Sequence, residues 1–130
     1  KVLAANNNDE LLEQQKMNFK PAMAILHKKE AYEKLKARYV GETKLYYGEE
    51  GLIEGATTEK FDTVVTSLMV AGLRPTMRAI EAGKNIALAN KETLVVSGDL
   101  VIKKAREKQI EIMPIDSEHG ALFQCYMAKI

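Results

Sequence analysis

Four consecutive polar residues, Asp116 to His119, follow an apolar stretch, and their side chains are those of a metal or acid–base site. Asp116 and Glu118 are two residues apart, so on an extended chain both carboxylates point to the same side. Hard divalent cations such as Mg²⁺ and Mn²⁺ prefer oxygen ligands of this kind. Two carboxylates do not complete a coordination shell, so we expect at least one more ligand from elsewhere. The stretch therefore predicts half of a metal site.

Other roles for these residues stay open. Asp116 or Ser117 is equally suited to cap a helix that begins near Glu118. His119 has the side chain of a general acid–base or of an orienting donor. A Ser117–His119–Asp116 relay is disfavoured, because residues this close in sequence do not stack into a triad. Cys125 is a weak candidate for a nucleophile paired with His119, and we expect it to be a small buried side chain.

Two further polar stretches come directly after predicted strands. "LANKETLV" enters a helix through Asn90, Lys91 and Glu92. A lysine at a helix N-terminus favours an anionic ligand, although a solvated turn explains it as well. The run Asn6 to Asn8 follows the first predicted strand, where α/β domains bind a ribose, and it also makes a good turn without any ligand. His27 follows the second strand, and we expect it in a surface loop.

The elements that position these stretches alternate between short apolar runs and amphipathic helices, the pattern of a parallel sheet with crossover helices. The predicted strands are Val2–Ala5, Ala22–Leu26, an edge strand at Lys44–Tyr47, a buried strand at Thr63–Leu68, Asn85–Ala89 and Ile110–Ile115. Helices are expected between them, including one that Gly83 closes and a long one from about Glu92 to Lys108.

No glycine-rich G-x-G-x-x-G turn or P-loop occurs in the chain. In a sheet of order 3-2-1-4-5-6, the first strand lies at the centre, and this chain begins at the second. We therefore expect a gap between two halves of the sheet, or a different pairing. The predicted fold is a Rossmann-like, three-layer α/β domain with a mostly parallel sheet that lacks its first strand and glycine-rich turn.

The bulk composition excludes several classes of function. A net charge of +1 and 6% aromatic residues give neither a basic surface nor stacking platforms for nucleic acid. The single cysteine fits a reducing compartment. The longest mostly apolar run, Val64 to Leu73, is too short to span a bilayer, and we expect no signal peptide. The 130 residues suit one intracellular domain.

Two blocks, "GLRPTMRAIEAGKNIALANKETLV" and "PIDSEHGALFQC", resemble the 1-deoxy-D-xylulose-5-phosphate reductoisomerases. These are NADPH enzymes of non-mevalonate isoprenoid biosynthesis, and the similarity covers nearly the whole chain. The family has a dinucleotide-binding domain, a catalytic domain and a helical tail. The resemblance implies that residues 1–113 are a partial dinucleotide-binding domain and that residues 114–130 begin the catalytic domain.

The resemblance also implies a role for each polar stretch. Asp116 and Glu118 would bind Mn²⁺ or Mg²⁺, with Co²⁺ as a further possibility. The implied catalytic residues are Lys91, Glu118 and His119, and those that contact the phosphosugar substrate are Lys91, Ser117 and Glu118. The residues implied to lie beside NADPH are Asn6, Asn7, Asn8, Asn90 and Glu92.

The implied reaction converts 1-deoxy-D-xylulose 5-phosphate to 2-C-methyl-D-erythritol 4-phosphate, in the bacterial cytoplasm or a plastid stroma, by a full-length homodimer. Asn6 and Asn7 stand where the family usually has a glycine and a basic residue, so we expect a weaker hold on the 2′-phosphate of NADPH. Because Asp116 and Glu118 do not complete the coordination shell of a metal ion, we expect the isolated chain to be inactive. The alternatives are a stand-alone α/β binding or assembly module and another nicotinamide oxidoreductase.

Overall fold

A computed structural model of the chain describes residues 1–67, 73–89, 91–115 and 117–128, and the side chains of these residues except 91–94, 117–120 and 123. The chain divides into two compact units, Lys1–Phe61 (unit 1) and Asp62–Ile130 (unit 2). Each unit contains three strands and three helices among the described residues. None of the described helices is long and apolar enough to cross a membrane.

Unit 1 contains a parallel three-stranded sheet of order β1-β2-β3. Its elements are β1 (Val2–Ala5), α1 (Asp9–Phe19), β2 (Met23–Leu26), α2 (Lys29–Arg38), β3 (Lys44–Tyr47) and α3 (Gly48–Thr57). All four residues of β2 are apolar and buried, as expected for the central strand of a sheet covered on both faces. The predicted strands and the edge position of β3 are confirmed.

The core of unit 1 lies on both faces of β2. Ala24 and Leu26 pack in one cluster with Leu12 of α1 and with two residues of α2, Ala31 and Leu35. The side chain of Ile25, between them in sequence, faces the other side, where it lies against Gly51 and Gly55 of α3. A Cβ atom at Gly55 would collide with the Ile25 side chain, so the glycine permits this close approach. The predicted three layers are therefore present in unit 1.

A buried lysine joins α1 to the segment after α2. Lys16 is only 6% exposed, and its ammonium nitrogen lies 2.8 Å from the centroid of the Tyr39 ring. The Tyr39 hydroxyl in turn accepts a hydrogen bond from the backbone N–H of Thr43 at 2.7 Å. Burial lowers the pKa of Lys16, because desolvation disfavours the charged amine.

Unit 2 contains a second parallel sheet, of order β4-β5-β6. Its elements are β4 (Thr63–Thr66), α4 (Leu73–Glu81), β5 (Asn85–Leu88), α5 (Lys91–Lys108), β6 (Ile112–Pro114) and α6 (Ser117–Met127). The predicted burial of the Thr63–Leu68 strand is wrong for Val65, which is 61% exposed, and Leu68 lies outside the described residues. Side chains alternate along a strand, so Thr66 faces the covered side of the sheet and Val65 the other.

Two helices of unit 2 end in the same left-handed motif. After α4, Gly83 has a φ of 77°, and the N–H groups of Gly83 and Lys84 donate to the carbonyls of Ile80 and Ala79. This double hydrogen bond confirms that Gly83 closes the helix. After α5, Gln109 takes the glycine position with a φ of 54° and the equivalent hydrogen bonds.

The predicted long helix α5 is interrupted at Ser97, whose φ and ψ of −147° and 31° are not helical. Gly98 follows, and a serine–glycine pair is a common cause of a helix kink. Among the described residues, the six strands form two separate three-stranded sheets.

Candidate functional site at the carboxyl ends of the strands

The asparagine run after β1 forms a capped turn into α1. The Oδ1 atom of Asn8 accepts a hydrogen bond from the N–H of Leu11 at 3.0 Å, and the Asn8 carbonyl accepts from Leu12 at 3.1 Å. The N–H of Asp9 donates to the carbonyl of Asn7 at 3.1 Å, which closes the turn. Because Asn8 uses its oxygen as a helix cap, its amide nitrogen is the group left to contact a ligand.

The loop after β2 runs beside this turn. The N–H of His27 donates to the carbonyl of Ala5 at 3.0 Å, and that of Lys28 donates to the carbonyl of Asn6 at 2.9 Å. His27 lies in a loop, as predicted, but it is partly buried rather than fully at the surface. The loops that follow β1 and β2 are therefore connected by backbone hydrogen bonds.

Three buried side-chain atoms have no hydrogen-bond partner among the described residues: Oδ1 of Asn6, Nδ1 of His27 and Oγ1 of Thr66. Asn6 directly follows β1, His27 directly follows β2, and Thr66 is the last residue of β4. A buried polar atom without a partner costs about 1–3 kcal/mol, so such atoms mark places where a ligand supplies the partner. The carboxyl ends of parallel strands are also where open α/β sheets bind ligands. Asn6 and His27 both belong to unit 1, and their unpartnered atoms are of the kind that pair with the hydroxyl groups of a ligand.

A cross-helix ion-pair network fixes the start of α1, and sequence reasoning did not find it. The guanidinium of Arg38, the last residue of α2, lies 2.7 Å from an oxygen of Asp9 and 2.6 Å from an oxygen of Glu13. The nearby guanidinium lowers the pKa of Asp9, mainly through this hydrogen bond. The i, i+4 spacing of Asp9 and Glu13 indicates two carboxylates on one helical face, but it does not identify the cation that they share.

In unit 2, the backbone brings the two remaining polar stretches to neighbouring strand ends. Leu88 of β5 pairs with Pro114 of β6, and the N–H of Ile115 donates to the carbonyl of Leu88 at 3.0 Å. Ala89, which precedes Asn90, and Ile115, which precedes Asp116, therefore leave adjacent strands at the same edge. Asn90 and Asp116 themselves lie outside the described residues.

The helices α5 and α6 begin at Lys91 and Ser117, directly beyond these strand ends. The side chains of Lys91, Glu92, Ser117, Glu118 and His119 are outside those described, so their predicted roles stay predictions. Among the described side chains, which exclude these five, no group of three His, Cys, Asp or Glu residues is placed to hold a metal ion.

Two expectations about α6 need correction. Glu118 lies in the first turn of α6, so the premise of an extended chain from 116 to 118 is wrong. Asp116 lies outside the described residues, so its predicted sharing of a metal ion with Glu118 stays a prediction. Cys125 is exposed rather than buried, because it lies on a part of α6 that no described element covers.

Comparison with known proteins decides the family. The profile of the family described as 1-deoxy-D-xylulose 5-phosphate reductoisomerase matches residues 1–98. The chain belongs to the 1-deoxy-D-xylulose 5-phosphate reductoisomerase family. It is 51% identical over 108 residues to the reductoisomerase of Geobacillus sp. (strain WCH70), covering 82% of this chain and 28% of that protein. It is 47% identical over 128 residues to that of Clostridium botulinum (strain Hall), covering 95% and 33%.

Solved reductoisomerase structures also have a similar backbone fold. A crystal structure of DOX-P reductoisomerase in complex with magnesium matches with a TM-score of 0.91 and 41% identity, over 95% of this chain and 32% of that one. The reductoisomerase from Zymomonas mobilis in complex with NADPH matches with a TM-score of 0.87 and 36% identity, over 95% and 33%. The predicted Rossmann-like α/β class is confirmed, and the chain spans about a third of the length of these relatives.

Proposed function

We propose that the chain is the NADPH-binding part of a reductoisomerase that converts 1-deoxy-D-xylulose 5-phosphate to 2-C-methyl-D-erythritol 4-phosphate with a divalent metal, and that it is inactive alone. The observation that carries this proposal is a sequence identity of 47–51% with reductoisomerases over most of the chain. The unpartnered buried atoms of Asn6 and His27 at the strand ends support a nucleotide site in unit 1.

Within this proposal, the turn of unit 1 binds the adenosine end of NADPH. Asn6 supplies a buried acceptor for a ribose hydroxyl, and Asn7 and Asn8 supply side-chain amides to the 2′-phosphate. Asn90 and Glu92 are further candidate residues for contact with NADPH. Bound NADPH would supply the hydride for the reduction.

The polar residues of unit 2 hold the metal and the phosphosugar. The carboxylates of Asp116 and Glu118 are hard oxygen ligands that suit Mg²⁺ or Mn²⁺, and Co²⁺ is a weaker possibility. A divalent metal held by these carboxylates would polarise the substrate carbonyl. Lys91, Ser117 and Glu118 orient the substrate oxygens, and Lys91, Glu118 and His119 move or hold protons during the reaction. The remaining ligand and the substrate-phosphate pocket come from elsewhere in a homodimeric enzyme.

Consumption of NADPH with 1-deoxy-D-xylulose 5-phosphate and Mn²⁺ tests the proposal, with NADH run in parallel. We expect no turnover by the 130-residue chain and metal-dependent turnover by a form extended at both ends to the length of the relatives. Metal-dependent turnover by the chain alone would show that it is a complete catalyst or is completed by a second copy. Turnover by the extended form with NADH and without metal would instead indicate another nicotinamide oxidoreductase.

A further inference from the structure

Arg38 makes two close ion pairs, and both reach α1 from α2. Its Nη2 atom lies 2.7 Å from Asp9 Oδ2, and its Nε atom lies 2.6 Å from Glu13 Oε2. Asp9 and Glu13 are one helical turn apart, so one planar guanidinium bridges both carboxylates. The arrangement ties the first turn of α1 to the end of α2.

The same turn of α1 continues directly into the asparagine run. Asp9 follows Asn8 in the chain, and its N–H donates to the carbonyl of Asn7 at 3.1 Å. The first backbone hydrogen bond of the helix, from the N–H of Leu12 to the carbonyl of Asn8, overlaps the Asp9–Glu13 segment that Arg38 contacts. A displacement of Asp9 therefore moves Asn7 and Asn8 with it.

Arg38 also determines the charge at the start of α1. This end of the helix carries Asp9, Glu10 and Glu13, and a helix N-terminus that binds an anionic ligand would be opposed by them. Arg38 pairs with two of the three carboxylates, and the charge of Lys34 also lowers the pKa of Asp9. Without Arg38, the asparagine turn would lie beside carboxylates whose charge is largely uncompensated.

We propose that Arg38 is a positioning residue for NADPH: it holds the Asn6–Asn8 turn through Asp9 and Glu13 and offsets part of the negative charge that would repel the 2′-phosphate. This inference rests on the proposed function, because it takes the turn as the site of the adenosine end. It assigns to the end of α2 a role in the choice between NADPH and NADH. Arg38 itself need not contact the cofactor.

The test compares KM values for NADPH and NADH in the full-length enzyme that contains this chain. We expect Arg38→Met to raise KM for NADPH roughly tenfold and KM for NADH about twofold, with kcat nearly unchanged, because only NADPH carries the extra phosphate. Arg38→Lys should recover part of the lost NADPH affinity, since lysine keeps the positive charge but lacks the planar guanidinium that contacts both carboxylates. The matched control is Arg78→Met, which removes an ion pair with Glu81 within α4 and should change neither KM.

The triple variant Asp9→Asn, Glu13→Gln, Arg38→Met separates charge from simple loss of structure. It removes the cation together with the two carboxylates, so the charge effect disappears while the ion-pair link stays absent, and the ratio of the two KM values should recover part of the way to that of the wild type. An Arg38→Met enzyme with an unchanged ratio would overturn the inference, as would a triple variant no better than the single one. A wild-type enzyme that does not use NADPH at all would refute the proposed function first, and the inference with it.

Discussion

Asn8 has two functions in the proposed site, and the substitution Asn8→Asp should separate them. The Oδ1 atom caps α1 through the N–H of Leu11 at 3.0 Å, which leaves the amide nitrogen as a donor for the 2′-phosphate. Aspartate keeps a capping oxygen but replaces the donor with a second, negatively charged oxygen. We therefore expect a protein that folds as well as the wild type and binds NADPH poorly.

The magnitudes follow from the geometry of the cap. Loss of the cap in Asn8→Ala should cost about 1 kcal/mol of unfolding free energy, whereas Asn8→Asp and Asn8→Ser should stay within about 0.5 kcal/mol of the wild type. A lost hydrogen bond to a charged group costs about 1.5–3 kcal/mol, and repulsion between the carboxylate and the phosphate adds about 1 kcal/mol or more. NADPH affinity should thus fall at least about sixtyfold in Asn8→Asp and at least about tenfold in Asn8→Ser.

Urea unfolding measures the first effect, and titration with NADPH and NADH, followed by nicotinamide fluorescence, measures the second. The loss for NADH should be much smaller, and raised salt should reduce the difference between Asn8→Asp and Asn8→Ser. An Asn8→Asp protein that binds NADPH as tightly as the wild type would place the phosphate away from this turn. An Asn8→Asp protein as unstable as Asn8→Ala would refute the capping argument.

Three further predictions concern the helix ends, the buried lysine and the metal. Gln109→Gly should stabilise the chain by about 0.5–1 kcal/mol in urea unfolding, and Gly83→Ala should destabilise it by about 1–2 kcal/mol. Both residues have a positive φ in the same helix-ending motif, which favours glycine. Changes of the same sign in the two unfolding free energies would refute the argument. The pKa of Lys16 in the folded chain is lowered from its ordinary value of 10.5. Just below pH 10.5 the unfolded chain therefore binds more protons than the folded chain, and the free energy of unfolding should rise with pH in that range. Lys16→Met should remove that rise when urea midpoints are compared from about pH 8 to 10, and a persistent rise would assign it to another group. If Asp116 is a metal ligand, Mn²⁺ should raise the melting temperature of the wild-type chain but not of Asp116→Ala, and an equal rise in both would place the metal elsewhere.

The sequence predicts the alternation of strands and helices because each element has its own local signal. Met23 to Leu26 is a short apolar run, and the Ala31 to Leu35 stretch has helical spacing, so each element can be recognised without its neighbours. Gly83 likewise marks a helix end by itself. The family resemblance was visible for the same reason, since two continuous blocks carry it.

Features that depend on a second segment were not predictable in this way. The β-branched residues of β4 indicate a strand, but the exposure of Val65 depends on what covers each face of the sheet. Arg38 is 25 residues from Glu13 in the chain, and only the packing of α2 on α1 brings them together. The carboxylate pair at Asp116 and Glu118 was interpreted on an extended chain, whereas the helix α6 already begins at Ser117.

The two units differ in how much of their proposed site they contain. In unit 1, the helix cap, the adjoining loop after β2 and the Arg38 bridge all come from within Lys1–Phe61, so the turn for the adenosine end needs no other segment to hold its shape. In unit 2, large apolar side chains are exposed on α5 and α6, among them Val95, Val96, Leu122 and Tyr126. Exposed apolar surface of this kind usually packs against another segment or chain. Under the proposed function, the rest of the reductoisomerase covers these helices, and the same parts complete the metal site, so recognition of the nucleotide should survive in the isolated chain while turnover should not.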